Sequence, residues 1–296
     1  MLNLGLSNIS YRNRIGRKAA NAVLDALAAN MNVTAIFHSG YSDAGTINRR
    51  YPENPVTNKF TTIEFQDTTH ATVATLLNFA CHPVVLGPDN RKISADYVYY
   101  LRKRIENEKG GMAVFFNGSF GDINPPPIHS DWLYGRDGGT FLMAEDFGEQ
   151  IADAMLSGYE TSDTAQINLH VASRKCILNN GIFPDPFTYI AILDLGIAQI
   201  AMVPGEPLTG FGETIESLLP GPYNMVFGNV NDYFSYIIPD EEWETCTYTF
   251  LDNGCYEESK ARDRSVAGIL EQGYRDISED IFNLSLSMPE SRLPFR

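Results

Sequence analysis

The stretch KFTTIEFQDTTHATVATLLNFACHP, residues 59–83, decides the fold class. Its two runs at 59–66 and 72–80 are rich in β-branched and aromatic residues, which predicts two strands. The short polar segment 67–71 between them predicts a turn, so the two strands should be neighbours in one sheet. His82 follows the second run directly, which places a potentially reactive side chain at a strand end.

Outward from this pair, helical and strand patterns alternate along the chain. Helices are predicted at 14–30, 94–108, 145–156, 207–219 and 257–277. Further strands are predicted at 33–37, 112–116, 166–177, 189–194, 198–202 and 225–227. Because no repeat or linker interrupts this alternation, we predict one α/β domain over residues 1–296, with a mixed β-sheet core flanked by helices.

The composition excludes several classes of function. Of 296 residues, 44% are hydrophobic and 20% are charged, which indicates a globular rather than a disordered chain. The formal net charge of −15 disfavours nucleic acid as a partner. No apolar run reaches the roughly 18 residues of a membrane span, and the first residues do not form a secretory signal. The default expectation is therefore a cytoplasmic location, and the sequence specifies no oligomeric state.

The four cysteines are too scattered for a zinc knuckle or a disulfide framework. They are Cys81, Cys176, Cys246 and Cys255. The last two could form a disulfide with each other.

Four loops that follow predicted strands carry polar residues, and catalytic residues of α/β folds lie on such loops. The loops contain His82, Asp122, Glu206, and the pair Tyr233 and Tyr236. Each residue alone also has a purely structural interpretation, such as a buried histidine, a turn aspartate or a core tyrosine. Together, an imidazole, a carboxylate and a phenol suit Zn²⁺, so His82, Glu206 and Tyr236 form a candidate metal site. Asp122 is a candidate partner that orients His82.

Five segments resemble, in chain order, the catalytic domain of the neutral/alkaline non-lysosomal ceramidase family. They are INRRYPENPVTNKFTTIEFQD (47–67), LLNFACHPVVLGPDNRKISADY (76–97), AVFFNGSFGDINP (113–125), AMVPGEPLTGFGE (201–213) and NDYFSYIIPDEEW (231–243). The resemblance implies a zinc amidase that cleaves the N-acyl bond of ceramide or of a related small N-acyl compound.

The resemblance also assigns roles to individual residues. It implies that His82, Glu206 and Tyr236 are zinc ligands, and that Arg49 lies near the scissile amide. It further implies a second tyrosine that donates a hydrogen bond to the developing oxyanion. Tyr248 and Tyr256 both fit that role, and the local Tyr-Glu context favours Tyr256.

The chain departs from the family pattern at its start. The family's second zinc histidine belongs to a His-Thr-His-Ser-Gly-Pro motif that is absent here. His38-Ser39-Gly40 imitates part of that motif but lies on a predicted strand, so we expect His38 not to be a ligand. We expect the chain to lack the family's first strands and its C-terminal immunoglobulin-like domain. Helix 14–30 would then correspond to an internal helix of the family.

Two functional hypotheses remain. With three zinc ligands rather than four, the chain should bind zinc weakly and turn over slowly. The alternative is a catalytically impaired or non-catalytic relative that binds a ligand. The sequence shows no helix that obviously docks on a bilayer, so a soluble substrate stays open.

Overall fold

The structure is a computed structural model that describes residues 9–52, 56, 58–126, 139–178, 186–247 and 255–287. The predicted fold class is confirmed, because helices flank mixed β-sheets. The helices are α1 (Ile9–Ala28), α2 (Tyr97–Lys109), α3 (Phe141–Ser157), α4 (Thr209–Ser217), α5 (Tyr256–Lys260) and α6 (Val266–Ser287). None of them, within the described ranges, is both long and apolar enough to cross a membrane.

The first sheet has five strands in the order β5-β4-β3-β1-β7. These are β1 (Thr34–Tyr41), β3 (Lys59–Gln66), β4 (Thr72–Phe79), β5 (Met112–Asn117) and β7 (Tyr159–Ala165). The pair β3–β4 is antiparallel, as the short turn requires. The pair β4–β5 is parallel, and α2 supplies the crossover that a parallel pair needs. Leu77 and Phe79 of β4 share a core with residues of α2 and α3, which cover this face of the sheet.

The second sheet has four strands in the order β12-β10-β9-β8. These are β8 (His170–Ile177), β9 (Phe187–Asp194), β10 (Gln199–Met202) and β12 (Met225–Phe227). The parallel pair β10–β12 is joined through α4. The side chains of Ile190, Ile192 and Val226 pack with α4 and α6 on the outer face of this sheet.

The two sheets pack face to face through a shared apolar core. Phe37 and Ile63 of the first sheet lie in one cluster with Ile200 and Met225 of the second. Phe116 and Phe227 stack at the seam, with ring centroids 4.2 Å apart. The layers are therefore helices, sheet, sheet and helices.

The seam also joins the strand ends. The amide of Gly228 donates a hydrogen bond to the carbonyl of Asn117 at 2.9 Å. This contact brings the carboxyl ends of β5 and β12 together. Ligand sites of α/β folds lie at such strand ends, so the seam fixes where a site can form.

Several elements differ from their sequence-based predictions, among them the following three. The strand predicted at 166–177 is β8 alone, and the preceding strand β7 was missed because its sequence YETSDTA lacks an apolar alternation. The helix predicted at 257–277 is divided into α5 and α6. The break falls at Asp263, whose carboxylate accepts hydrogen bonds from Ser265. Helix α1 begins earlier than predicted, and none of its residues is buried.

The structure contains one disulfide in its described part, between Cys246 and Cys255. This is the pairing that the sequence allowed. Cys81 and Cys176 are reduced and buried.

Candidate active site

The four loops singled out by the sequence meet at one place. Two short strand pairs hold them together. They are β2 (Ile47–Asn48) with β6 (Ile123–Asn124), and β11 (Glu206–Pro207) with β13 (Tyr236–Ile237). Pairing in β11–β13 sets Glu206 directly opposite Tyr236. Residues that are far apart in sequence are thus placed side by side by backbone hydrogen bonds.

His82 is held through the backbone on both sides. Its own amide donates to the carbonyl of Ile123 at 2.9 Å. The side-chain amide of Asn117 accepts from the backbone amide of Cys81 and donates to the Cys81 carbonyl, both at 3.0 Å. The Tyr97 hydroxyl donates to the same carbonyl at 2.9 Å. The residue before His82 is therefore clamped, which fixes where the imidazole lies.

Asp96 holds the loop that follows His82. Its carboxylate accepts from the backbone amides of Val85 and Leu86, at 3.2 and 2.9 Å, and caps α2 through Tyr97. Asp96 is buried and adopts a positive φ of 56°. A left-handed non-glycine residue is strained, so these hydrogen bonds must offset that cost.

The three predicted metal donors converge. The distance between His82 Nε2 and Glu206 Oε2 is 3.8 Å, and the rings of His82 and Tyr236 have centroids 6.3 Å apart. Glu206 Oε1 accepts a hydrogen bond from the Tyr233 hydroxyl at 3.2 Å. Glu206 Oε2 is buried and has no hydrogen-bond partner among the described residues. A buried carboxylate oxygen without a partner is costly, and here it faces a ring nitrogen.

Burial controls the protonation of this cluster. Burial, together with the nearby Arg49 guanidinium, lowers the pKa of His82 to about 3, so the imidazole is neutral at pH 7. Burial raises the pKa of Glu206, while the hydrogen bond from Tyr233 and the charge of Arg49 oppose that rise. Burial also raises the pKa of the Tyr236 phenol. A neutral imidazole is the form that binds a metal.

Arg49 links the donors to the rest of the site. Its Nη2 donates to the Gly121 carbonyl at 2.8 Å and to the Tyr236 hydroxyl at 3.0 Å. Its guanidinium lies 5.4 Å from the ring centroid of Tyr236 and 5.7 Å from that of Tyr256. Arg49 and Tyr256 therefore both border the cluster. Tyr248, the other tyrosine considered for the oxyanion role, lies outside the described residues.

Gly121 is a position where two of the loops approach each other closely. His82 Nε2 lies 3.2 Å from its carbonyl oxygen, the same atom that Arg49 contacts. A Cβ atom at this residue would lie 2.7 Å from the backbone oxygen of Glu206. Since backbone cannot move aside cheaply, only glycine fits here.

The expectation that Asp122 orients His82 is not met in the described structure. Asp122 Oδ2 accepts from the Asn48 side chain at 2.6 Å, and Oδ1 accepts from the Thr209 amide and hydroxyl at 2.9 and 2.8 Å. Its oxygens are thus used to tie β2 to the first turn of α4. Asp122 acts on the site by holding two loops together, and not through the imidazole.

Sequence reasoning missed Glu257. Its carboxylate lies between two arginines, with Oε1 2.6 Å from Arg49 Nε and Oε2 3.3 Å from Arg50 Nη1. The side chains of Glu257 and Arg50 are both fully buried. The available signal was the Tyr-Glu dipeptide 256–257, which we used only to choose between tyrosines.

His38 lies elsewhere in the fold. It is paired with Thr62 of β3 and Ser162 of β7 in the first sheet, and its ring lies at a tilt against that of Tyr159, with centroids 4.4 Å apart. Burial lowers its pKa, with a further contribution from Lys109 at the end of α2. These neighbours are not part of the four-loop cluster.

Within the described residues, no group of three or more His, Cys, Asp or Glu side chains is arranged to hold a metal ion. The converging set has one histidine and one carboxylate, and its third member is a tyrosine.

No protein-family model matches the chain, and no curated protein matches it.

Solved structures do match. A neutral ceramidase from Pseudomonas aeruginosa superposes with a TM-score of 0.65 and 15% identity, over 88% of this chain and 53% of that one. The chain has a ceramidase-like fold. A ceramidase complexed with C2 gives a TM-score of 0.64 at 13% identity, over 88% of this chain and 54% of that one. The ceramidase-like chain thus spans about half the length of the structures that it matches.

Proposed function

We propose that this chain is a zinc-dependent amide hydrolase that cleaves the N-acyl bond of ceramide or of a related small N-acyl compound. The observation that carries the proposal is the convergence of His82, Glu206 and Tyr236 on a ceramidase-like fold. These three residues come from three different loops, so their meeting is a property of the fold and not of local sequence.

The donor set fits zinc. His82 offers a neutral ring nitrogen, and the partnerless oxygen of Glu206 faces that nitrogen. Catalytic zinc sites use three protein ligands and keep one position open, which this set of three provides. His82, Glu206 and Tyr236 would hold the ion. When bound, zinc supplies a water activated near neutral pH and polarises the acyl carbonyl.

The remaining residues would position the substrate. Arg49 is fixed by Glu257, Gly121 and Tyr236, so its guanidinium keeps one orientation beside the donors. A fixed guanidinium can bind the acyl oxygen or the head group without reorganisation. Tyr256 lies beside Arg49 and Tyr236, with the two tyrosine ring centroids 6.1 Å apart, and its hydroxyl would donate a hydrogen bond to the developing oxyanion.

A non-catalytic ligand-binding relative is the second candidate. This candidate is favoured because two of the three proposed zinc ligands, His82 and Tyr236, already contact other residues of the chain. His82 Nε2 lies within hydrogen-bond distance of the Gly121 carbonyl, and the Tyr236 hydroxyl accepts from Arg49. Zinc would have to compete with both contacts, which supports our expectation of weak zinc binding and slow turnover.

Zinc titration of the metal-free chain tests the proposal. We expect weak zinc binding and slow zinc-dependent release of fatty acid from a short-acyl ceramide, both abolished in Glu206→Gln. Glu213→Gln, an exposed residue of α4, is the matched control and should behave as the unchanged chain. Zinc binding that survives Glu206→Gln would refute the ligand set. Ceramide binding without hydrolysis at saturating zinc would favour the second candidate.

A further inference from the structure

Helix α1 presents an apolar face that nothing in the described structure covers. All of its residues are exposed across Ile9–Ala28. Ile15, Ala19, Val23 and Leu27 recur at every fourth position, which puts them on one side of the helix. Exposed large apolar side chains on a single face normally mark a binding surface.

The opposite side of α1 is basic. Arg14, Arg17 and Lys18 lie there, and the whole helix has four basic residues and one acidic residue, Asp25. Its net charge of +3 contrasts with the formal charge of −15 for the chain. A helix with an apolar face and a Lys/Arg-rich polar face is typical of segments that lie in the interface of an anionic membrane.

A second copy of this chain fits α1 less well. One other exposed apolar surface lies on β8 and β9 and includes Val171 and Phe187. That surface carries a positive charge, because Lys175 Nζ lies 3.9 Å from the Phe187 ring centroid. Like charges on both surfaces oppose their association. An anionic bilayer satisfies both the apolar and the basic side of α1.

We propose that α1 is an interfacial anchor that binds the surface of a bilayer containing anionic phospholipid. Its apolar side enters the boundary between headgroups and acyl chains, and Arg14, Arg17 and Lys18 on the opposite side lie among the phosphates. Such an anchor would bring the four-loop site to substrates dissolved in a membrane. Binding itself does not depend on hydrolysis, so it can be tested independently of the proposed activity.

Vesicle flotation of the full chain tests this proposal. The probes are phosphatidylcholine vesicles with and without about 30 mol% phosphatidylglycerol, neither containing ceramide. We expect flotation with the anionic vesicles only, weakening when NaCl rises from about 50 to 500 mM. Val23→Gln with Leu27→Gln should lower the partition coefficient by at least about tenfold. Leu142→Gln, an equally exposed leucine of α3, is the matched control and should change nothing.

Three results would overturn the anchor. They are no flotation with anionic vesicles, equal flotation of the unchanged chain and the Val23/Leu27 variant, and a lipid-free dimer that the same variant dissociates. The last result would assign the apolar face to a second copy of the chain. Circular dichroism of the variant without lipid shows whether the rest of the chain is folded. A chain that floats but does not hydrolyse ceramide leaves the anchor intact and refutes only the enzymatic proposal.

Discussion

The buried carboxylate of Glu257 should contribute strongly to stability, and Glu257→Gln measures that contribution. The substitution keeps the size of the side chain and removes a negative charge that lies 2.6 Å from Arg49 Nε and 3.3 Å from Arg50 Nη1. Arg50 is fully buried, so its charge would lose most of its compensation. Breaking a buried ion pair by neutralising one partner costs about 3–5 kcal/mol. Arg50 keeps a second contact with Glu258 at 3.0 Å, which favours the lower end, about 3 kcal/mol.

Urea unfolding followed by circular dichroism is the assay. The matched control is Glu271→Gln on α6, which removes the same charge from a partly exposed pair with Arg275. Exposed pairs contribute about 0–1 kcal/mol, so the control should barely move the midpoint. The reasoning fails if Glu257→Gln and the control lie within about 1 kcal/mol of each other. Such a result would mean that solvent reaches Arg49 and Arg50.

Three further predictions concern the site and its surroundings. In metal-free protein, the unchanged chain should lose stability as the pH falls from 6.5 towards 3, because the imidazole of His82 takes up a proton more readily in the unfolded chain than in the folded one. His82→Asn should remove that loss. At about pH 5 the part of the unfolding free energy that His82 costs the unchanged chain should be about 2 kcal/mol, measured by urea unfolding. Equal pH profiles of stability for the unchanged chain and the variant would contradict this prediction. Reducing the Cys246–Cys255 bond, which closes a short loop, should lower the unfolding free energy by about 2–4 kcal/mol, whereas no change on adding dithiothreitol would argue against the bond. Gly121→Ala should cost about 1–3 kcal/mol and weaken zinc binding, while Gly16→Ala on α1 meets no neighbouring atom and serves as its control.

The disulfide also bears on where the chain works. Disulfides persist in oxidising compartments and are rare in the cytosol. The Cys246–Cys255 bond therefore favours an oxidising compartment over the cytoplasmic default inferred from the sequence. We propose that location; expression with and without an oxidising environment, followed by thiol counting, tests it.

Local patterns predicted the elements that have strong periodicity. The bounds of β3 agree with the prediction, and those of β4 differ by one residue, because both strands are bordered by turn residues and contain β-branched side chains. Strand β7 lacks an alternation of apolar residues, and its pairing with β1 is decided by the edge of the sheet that β1 leaves open. Its existence depends on a neighbour rather than on its own sequence.

The candidate site, too, could be predicted from the sequence in part, while the rest depends on the fold. His82, Glu206 and Tyr236 could be selected from their positions after strands, and the resemblance gave them a common role. His82 and Tyr236 are more than a hundred residues apart in the sequence, and this separation does not predict the distance between their side chains in the fold. The 3.8 Å between His82 Nε2 and Glu206 Oε2 depends on how the strand ends of two sheets meet.

By itself, the sequence determined the alternation of helices and strands, the identity of the polar residues at strand ends, and the amphipathic pattern of α1. Periodicity and turn chemistry are local, so these features need no knowledge of distant contacts. Only the tertiary structure decided that Glu257 compensates two arginines, that Asp122 ties loops instead of orienting His82, and that the residues of α1 are exposed in the described part of the fold. Each of these depends on burial and on contacts between distant segments, and both arise when the sheets pack against each other.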